Sequence, residues 1–303
     1  MSIDLSGKIA IVTGAGGGLG REHALLLARR GAKVMVNDLG GAVDGEGGSL
    51  SAAASVVKEI EDAGGEAMAN GANVTNFSEV KAMVADAEKR WGRVDILVAN
   101  AGILRDKSFA KMELSDFRLV VDVHLMGSVN CVKALWDGMR ERGYGRIVLT
   151  TSSTGLYGNF GQTNYGAAKL ALVGFMNSLA LEGAKYNINV NCLAPTAGTR
   201  MLEGLMPEDQ LGALDPALVS PAVLALVDEA APTKTIICAG AGSFEVSQIT
   251  LTKGSYFGAG DDVAEQILAH MSDLKDATGQ TVPLDGSAQG TLELEKAGFA
   301  PVS

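Results

Sequence analysis

Short β-branched runs alternate with longer segments of helical spacing along most of this chain, and that alternation constrains the fold more than any other feature. "KIAIVTG" (8–14), "KVMVND" (33–38), "RVDILVANAG" (93–102), "GRIVLTTSS" (145–153), "NINVNCLAP" (187–195) and "KTIICAG" (234–240) read as strands, with a short one near Glu66–Ala69. Helical patterns fill the gaps. They run from about Gly18 to Arg30, through "SLSAAASVVKEIEDAG" and "NFSEVKAMVADAEKRWG", and as two stretches over about 115–141. Two more lie before about Tyr186 and near Pro216–Ala230. Apolar strands that lack polar alternation are covered on both faces, which argues for a parallel sheet. Right-handed crossovers then give a doubly wound α/β fold. No Pro/Ser-rich linker interrupts the pattern, so residues 1–253 are read as one domain and 254–303 as a C-terminal extension. In that extension "GDDVAEQILAHMSDLKD" has helical spacing, while "GTLELEKAGFAPVS" is ambiguous.

Composition narrows the partners. The 303 residues are 47% hydrophobic, enough for a large core. A net charge of −10 repels nucleic acid and anionic membranes at long range. A local basic patch can still hold an anionic ligand, because charges are screened beyond about 10 Å at moderate salt. Cys131, Cys192 and Cys238 lie apart in apolar surroundings without a CxxC, and are expected to be reduced core residues of a cytoplasmic protein. The start "MSIDLSGKIAIV" lacks the charged-then-apolar layout of a signal, and no apolar run approaches the roughly 20 residues of a membrane span. His23, His124 and His270 form no cluster in sequence, so no metal site is expected.

"TGAGGGLG" joins the first strand to the first helix, with Gly14, Gly18 and Gly20 spaced GxxxGxG around Leu19. Glycine lets the backbone turn tightly and approach a pyrophosphate, and the helix N-terminus offers free N–H groups to its charge. Asp38 ends the second strand, where a carboxylate accepts hydrogen bonds from ribose hydroxyls and repels a 2′-phosphate. Gly17 and Leu39 offer no basic side chain there. NAD is therefore expected over NADP. The bland alternatives are a bare turn and a turn-forming aspartate.

"NYGAAK" places Tyr165 and Lys169 on one helix face, and Ser152 lies near the end of the preceding strand. Ligands bind at the C-terminal edge of such sheets. A free phenol has a pKa of about 10, so acid–base work near neutrality needs it lowered by about three pH units, roughly 4 kcal/mol. Burial alone works against this, and nearby positive charge must outweigh it. Lys169 supplies one such charge and an oxidised nicotinamide ring another. The Ser152 hydroxyl can hold a substrate oxygen beside the phenol.

TGxxxGxG, "ANAG" (99–102), the serine, YxxxK and "APTAG" (194–198) occur in an order that resembles the short-chain dehydrogenase/reductase family over roughly residues 5–245. The resemblance implies a Rossmann-type sheet, a nicotinamide cofactor and tyrosine acid–base chemistry. It places Asn100, Ala101 and Gly102 along the cofactor, and Val74, after Asn73, near the adenine. It has Lys169 hold the nicotinamide ribose, and puts Pro195, Ala197 and Gly198 near the nicotinamide. Many members carry asparagine in "VNLxG", where it helps hold a water linked to the lysine. Here "VDVHLMG" puts His124 in that place, as a candidate for the same work or a plain packing residue.

The stretches "VNDLGGAVDGEGG", "NAGILRDKSF", "VHLMGS", "GLYGNFGQTNYGAAKLALVG" and "APTAGTRM" are similar to the (3R)-hydroxyacyl-CoA dehydrogenase part of peroxisomal-type multifunctional enzymes and bacterial relatives. That resemblance implies interconversion of (3R)-3-hydroxyacyl-CoA and 3-oxoacyl-CoA. A hydroxysteroid or steroid-CoA dehydrogenase, a 3-oxoacyl-carrier reductase and a non-catalytic dinucleotide sensor stand as alternatives. Arg105, Lys107, Lys111 and Arg200 are candidates for a CoA-binding patch or are solvated charges. "MLEGLMPEDQLGALDP" (201–216) reads as a substrate lid or a packed surface helix. The family also implies a homodimer or homotetramer built on the helices around 115–141 and 163–186, with the extension reaching a neighbouring subunit.

Overall fold

A computed structural model describes residues 2–41, 44, 49–198 and 212–300. Seven strands form the parallel ladder: β1 (Ile9–Thr13), β2 (Lys33–Asn37), β3 (Ala67–Asn70), β4 (Ile96–Ala99), β5 (Gly145–Thr150), β6 (Ile188–Thr196) and β7 (Ile236–Gly240). With β8 (Ser243–Ser247) the sheet order is β3-β2-β1-β4-β5-β6-β7-β8. The strand order reverses between β1 and β4, which makes the crevice beyond their C-terminal ends the ligand position in a doubly wound sheet.

Every residue of β1, β4 and β5 is buried, as their unbroken apolar runs require. Successive side chains point to opposite faces. Ile9 and Ile11 enter one core layer with α3 (Phe77–Trp91), α5 (Gly127–Arg142) and α7 (Thr163–Gly183). Ala10 and Val12 enter the other with α1 (Gly18–Arg29), α2 (Ser51–Asp62) and α8 (Ser220–Val227).

The two helical stretches expected over 115–141 are one continuous helix, Leu114–Arg142. It comprises α4 (Leu114–Val121), a π turn (Asp122–Met126) and α5. The π turn inserts one extra residue per hydrogen-bonded loop and re-aims the side chains it carries. By length and composition this helix could cross a membrane, but Cys131, Val132, Leu135, Trp136 and Met139 pack into the core. A short α6 (Ser153–Tyr157) precedes α7.

β8 is absent from the expected elements. Ala241 (φ 51) and Gly242 (φ 78) form a two-residue link of the kind that reverses a chain into a hairpin. The chain divides into two compact units, Met1–Val246 and Ser247–Ser303. In the second, Leu251 and Thr281 form an antiparallel bridge beside α9 (Val263–Ala269), α10 (Met271–Leu274) and α11 (Ser287–Lys296). None of its described residues is buried.

His23 of α1 is fully buried, with Nδ1 2.8 Å from Ser220 Oγ of α8. Burial pushes its pKa down to about 3. The unfolded chain takes up this proton below about 6.5 and the folded chain does not. Stability therefore falls as pH drops from about 6.5 towards about 3. His23→Leu is expected to show a shallower loss over that window, measured by urea unfolding at a series of pH values.

Candidate active site

The glycine loop is built for close approach. Gly14 (φ 63) and Gly18 (φ 50) occupy the left-handed region, where side chains are strained. A Cβ on Gly14 would sit 2.8 Å from Ala101 Cα, and one on Gly20 would sit 2.2 Å from Gly14 O. Leu19 turns into the core layer of α1. Asn100 ties the loop to the end of β4, its amide donating to Thr13 O and Gly14 O, both at 3.1 Å. Thr13 Oγ1 in turn accepts the N–H groups of Asn100 and Ala101 at 3.0 and 3.1 Å. Asp38 closes the loop from the other side: its carboxylate accepts Gly16 N–H at 2.8 Å and Gly40 N–H at 2.6 Å.

Asn73 shapes the turn after β3, accepting from the N–H and hydroxyl of Thr75. Val74 packs where Gly127 leaves room, and its carbonyl accepts from Asn130 Nδ2 of α5 at 2.9 Å. Gly102 is pressed against the His124 ring: a Cβ there would lie 2.3 Å from Cε1. Pro195 lies near the end of β6, Ala197 is buried, and Gly198 N–H donates to Leu214 O at 2.6 Å. Among the described residues, no hydrogen bond links these three to Tyr165 or Lys169. Arg200 and most of 201–216 lie outside the described residues.

Ser152, Tyr165, Lys169 and His124 converge. Ser152 caps α6, its Oγ accepting Thr154 N–H at 3.2 Å, and its hydroxyl is near enough to Tyr165 to lower the phenol pKa. Lys169 is buried; its Nζ donates to Thr150 O at 2.5 Å and stands 5.5 Å from the Tyr165 ring centroid. Burial pushes the ammonium pKa down to about 7. Burial also raises the Tyr165 phenol, the Ser152 hydroxyl lowers it, and the charge of Asp106 raises it. These residues by themselves therefore do not make a ready phenolate, and further positive charge beside the ring is needed.

The π turn delivers His124 to this cluster, its ring edge-on to Tyr165 with centroids 5.1 Å apart. Nε2 lies 2.8 Å from Ile103 O and 3.1 Å from Ile103 N, and its tautomer decides which bond forms. Among the described residues, buried Nδ1 has no hydrogen-bond partner, and neither has Thr150 Oγ1. Burial first, then the Lys169 charge, hold the imidazole well below its usual pKa, so it is neutral. Thr13, Asp106, Asn130, Gln162 and Asn164 are additions to the residues named from sequence. Asn164 is buried, its amide donating to Arg105 O at 3.0 Å while its Oδ1 accepts Tyr165 N–H at 2.8 Å.

The basic cluster is partly neutralised within the chain. Lys107 Nζ lies 3.2 Å and Arg105 Nη1 3.9 Å from the Asp116 carboxylate. Among the described residues, no group of three or more His, Cys, Asp or Glu could hold a metal ion. The side-chain-free glycine cradle, the carboxylate at the end of β2 and the polar atoms beside Lys169 that have no partner among the described residues fit a dinucleotide.

The short chain dehydrogenase family model matches residues 8–209. This chain is a short-chain dehydrogenase. The dehydrogenase is 45% identical over 276 residues to a short-chain type dehydrogenase/reductase of Mycobacterium tuberculosis, covering 91% of this chain and 96% of that protein. It is 52% identical to the peroxisomal multifunctional enzyme type 2 of Drosophila melanogaster, over 74% of this chain but 37% of that enzyme. The chain thus spans about a third of this much longer relative. The solved full-length fly enzyme superposes with a TM-score of 0.80 at 36% identity, covering 98% of this chain and 50% of that one. A 7α-hydroxysteroid dehydrogenase complexed with NADH and 7-oxo glycochenodeoxycholic acid aligns with a TM-score of 0.71 at 32% identity, over 79% of this chain and 95% of that one.

Proposed function

We propose that this dehydrogenase interconverts a (3R)-3-hydroxyacyl-CoA and the corresponding 3-oxoacyl-CoA with NAD, using Tyr165 as general acid/base. The observation that carries the reading is the meeting of Tyr165, Ser152 and Lys169 at one point beyond the strand ends. Similarity to the peroxisomal multifunctional enzymes supports the acyl-CoA substrate.

When bound, the nicotinamide supplies the acceptor or donor for hydride. In the oxidative direction Tyr165 as phenolate takes the hydroxyl proton while the carbinol C–H bond gives up its hydride. Ser152 orients the substrate oxygen. Lys169 supports the phenolate with its charge, and neutral His124 holds the wall behind the ring without adding a second cation. Turnover of 3-hydroxyacyl-CoA above that of a free hydroxysteroid and a hydroxyacyl-carrier thioester supports this reading. Steroid-only turnover moves the substrate to the alternative that the 7α-hydroxysteroid dehydrogenase neighbour favours.

Asp38 is the proposed source of NAD preference. Asp38→Ala is expected to raise the ratio of NADP to NAD efficiency at least about tenfold, since a carboxylate opposing a phosphate dianion is removed. Equal ratios in both proteins, from initial rates with each cofactor, would place the preference elsewhere. The exposed Leu119, Met126, Leu170 and Leu181 on α4, the π turn and α7 support a dimer or tetramer built on these helices.

A further inference from the structure

Tyr165 lies in the first turn of α7, which opens at Thr163. The first N–H groups of a helix have no intrahelical partner, and a capping side chain ordinarily takes one of them. Gln162 stands in the capping position but makes no such bond. Its amide is engaged by the loops around it: Nε2 donates to Asp106 Oδ2 at 2.6 Å, and Oε1 accepts from Thr154 Oγ1 and Asn159 Nδ2, both at 3.0 Å. Tyr165 N–H is met from inside the helix instead, by Asn164 Oδ1 at 2.8 Å.

Asn164 is fully buried, and the other end of its amide donates to Arg105 O, at 3.0 Å, in the loop after β4. A flipped amide would set NH₂ against N–H and oxygen against a carbonyl, so its neighbours dictate the orientation. A buried amide is costly unless its ends are paired, and packing alone would be served by an apolar side chain of that size. The polar residue here therefore points to the bridge it makes. The stretch it reaches also carries the ring: Tyr165 packs in the group of Ile103, Val120 and Ala168, and the Ile103 backbone is held at His124 Nε2. A parallel tie runs from Lys107 N–H to Gly161 O at 2.9 Å. Lys169, one turn further along α7, has anchors of its own at the end of β5. Its Nζ donates to Thr150 O, and its carbonyl accepts Thr151 Oγ1 at 2.6 Å.

We propose that Asn164 is a positioning residue for the reaction: it bolts the first turn of α7 to the loop after β4 and so fixes the place of the Tyr165 phenol beside Lys169. This rests on the reading of Tyr165 as the acid/base. Asn164 touches the backbone of Tyr165 and not its hydroxyl, so it acts through that residue alone. Without the bridge the turn that carries Tyr165 is free to shift, while Lys169 stays on its own anchors at β5. The phenol and the ammonium then lose their mutual placement, and a displacement of about 1 Å is enough to cost up to a hundredfold in rate.

The test is a double-mutant cycle. NAD reduction on a (3R)-3-hydroxyacyl-CoA is compared in the wild type, Asn164→Ala, Tyr165→Phe and the double variant, with NAD dissociation constants from fluorescence quenching beside the rates. N164A is expected to lower kcat roughly ten- to a hundredfold. In the Y165F background the same change is expected to alter kcat less than about twofold, because no phenolic hydroxyl is left to misplace. The NAD dissociation constant of N164A stays near that of the wild type, since the glycine loop and Lys169 keep their own ties. Asn164→Ser, whose hydroxyl is too short to span the bridge, carries the same cycle with a smaller cavity should N164A fold poorly. An N164A kcat within about threefold of the wild type overturns the proposal. So does an equal loss in both backgrounds, or a loss of NAD affinity that matches the loss of kcat, because a general loosening of α7 gives those results. Tyr165→Phe that keeps full turnover would instead overturn the acid/base reading on which the proposal rests.

Discussion

Tyr165→Phe is expected to lower kcat by roughly a thousandfold, within the range that general acid–base groups contribute. The Tyr165 ring lies 5.5 Å from Lys169 Nζ, and the Ser152 hydroxyl lowers the phenol pKa. Its ring packs edge-on to His124 and against the small core group of Ile103, Val120 and Ala168, contacts that phenylalanine keeps. Thermal stability and dinucleotide affinity should therefore change little. Steady-state kinetics with a nucleotide titration by fluorescence separate these effects. A kcat loss below about tenfold would mean that the proton leaves by another group.

Lys169→Met is expected to act in two directions at once. Activity should fall at least about a hundredfold, since the phenolate loses its cationic neighbour. Stability should rise at neutral and acid pH. Lys169 is buried, its Nζ donating to the Thr150 carbonyl, and its pKa falls from 10.5 to about 7 on folding. Between these values the unfolded chain holds the proton and the folded chain does not, so wild-type stability climbs with pH across that window. Below about 7 the folded protein carries the buried charge and its full penalty. Methionine removes that penalty, roughly 2 kcal/mol or more below pH 7, and the advantage shrinks towards pH 10. Urea unfolding of both proteins from pH 6 to 10 gives the difference. A pH-independent difference would mean that Lys169 stays charged throughout.

The parallel core was legible because β1, β4 and β5 are covered on both faces, and an apolar run needs no partner to be recognised. Tyr165 and Lys169 were legible because one helical turn fixes their face. The π turn at Asp122–Met126 was not, since nothing local in "DVHLM" marks the extra residue. It is held by packing of His124 against Gly102, Ile103 and Tyr165. β8 was missed although "SFEVS" alternates, because the segment is short and exposed at the sheet edge and its turn carries Ala241 where glycine or asparagine is usual. Asp106 and Gln162 are distant in sequence, and only the ends of β4 and β5 bring their loops together. Asp38 was legible as a carboxylate at a strand end, but not as the acceptor that also braces Gly16 and Gly40.

The most direct measurement is NAD reduction by the purified protein on paired R- and S-3-hydroxyacyl-CoA thioesters, with a free hydroxysteroid alongside and the Tyr165→Phe variant as control. Turnover confined to the R thioester and lost in the variant is the expected result. Turnover of the S thioester, or of R in the variant at the wild-type rate, would contradict it.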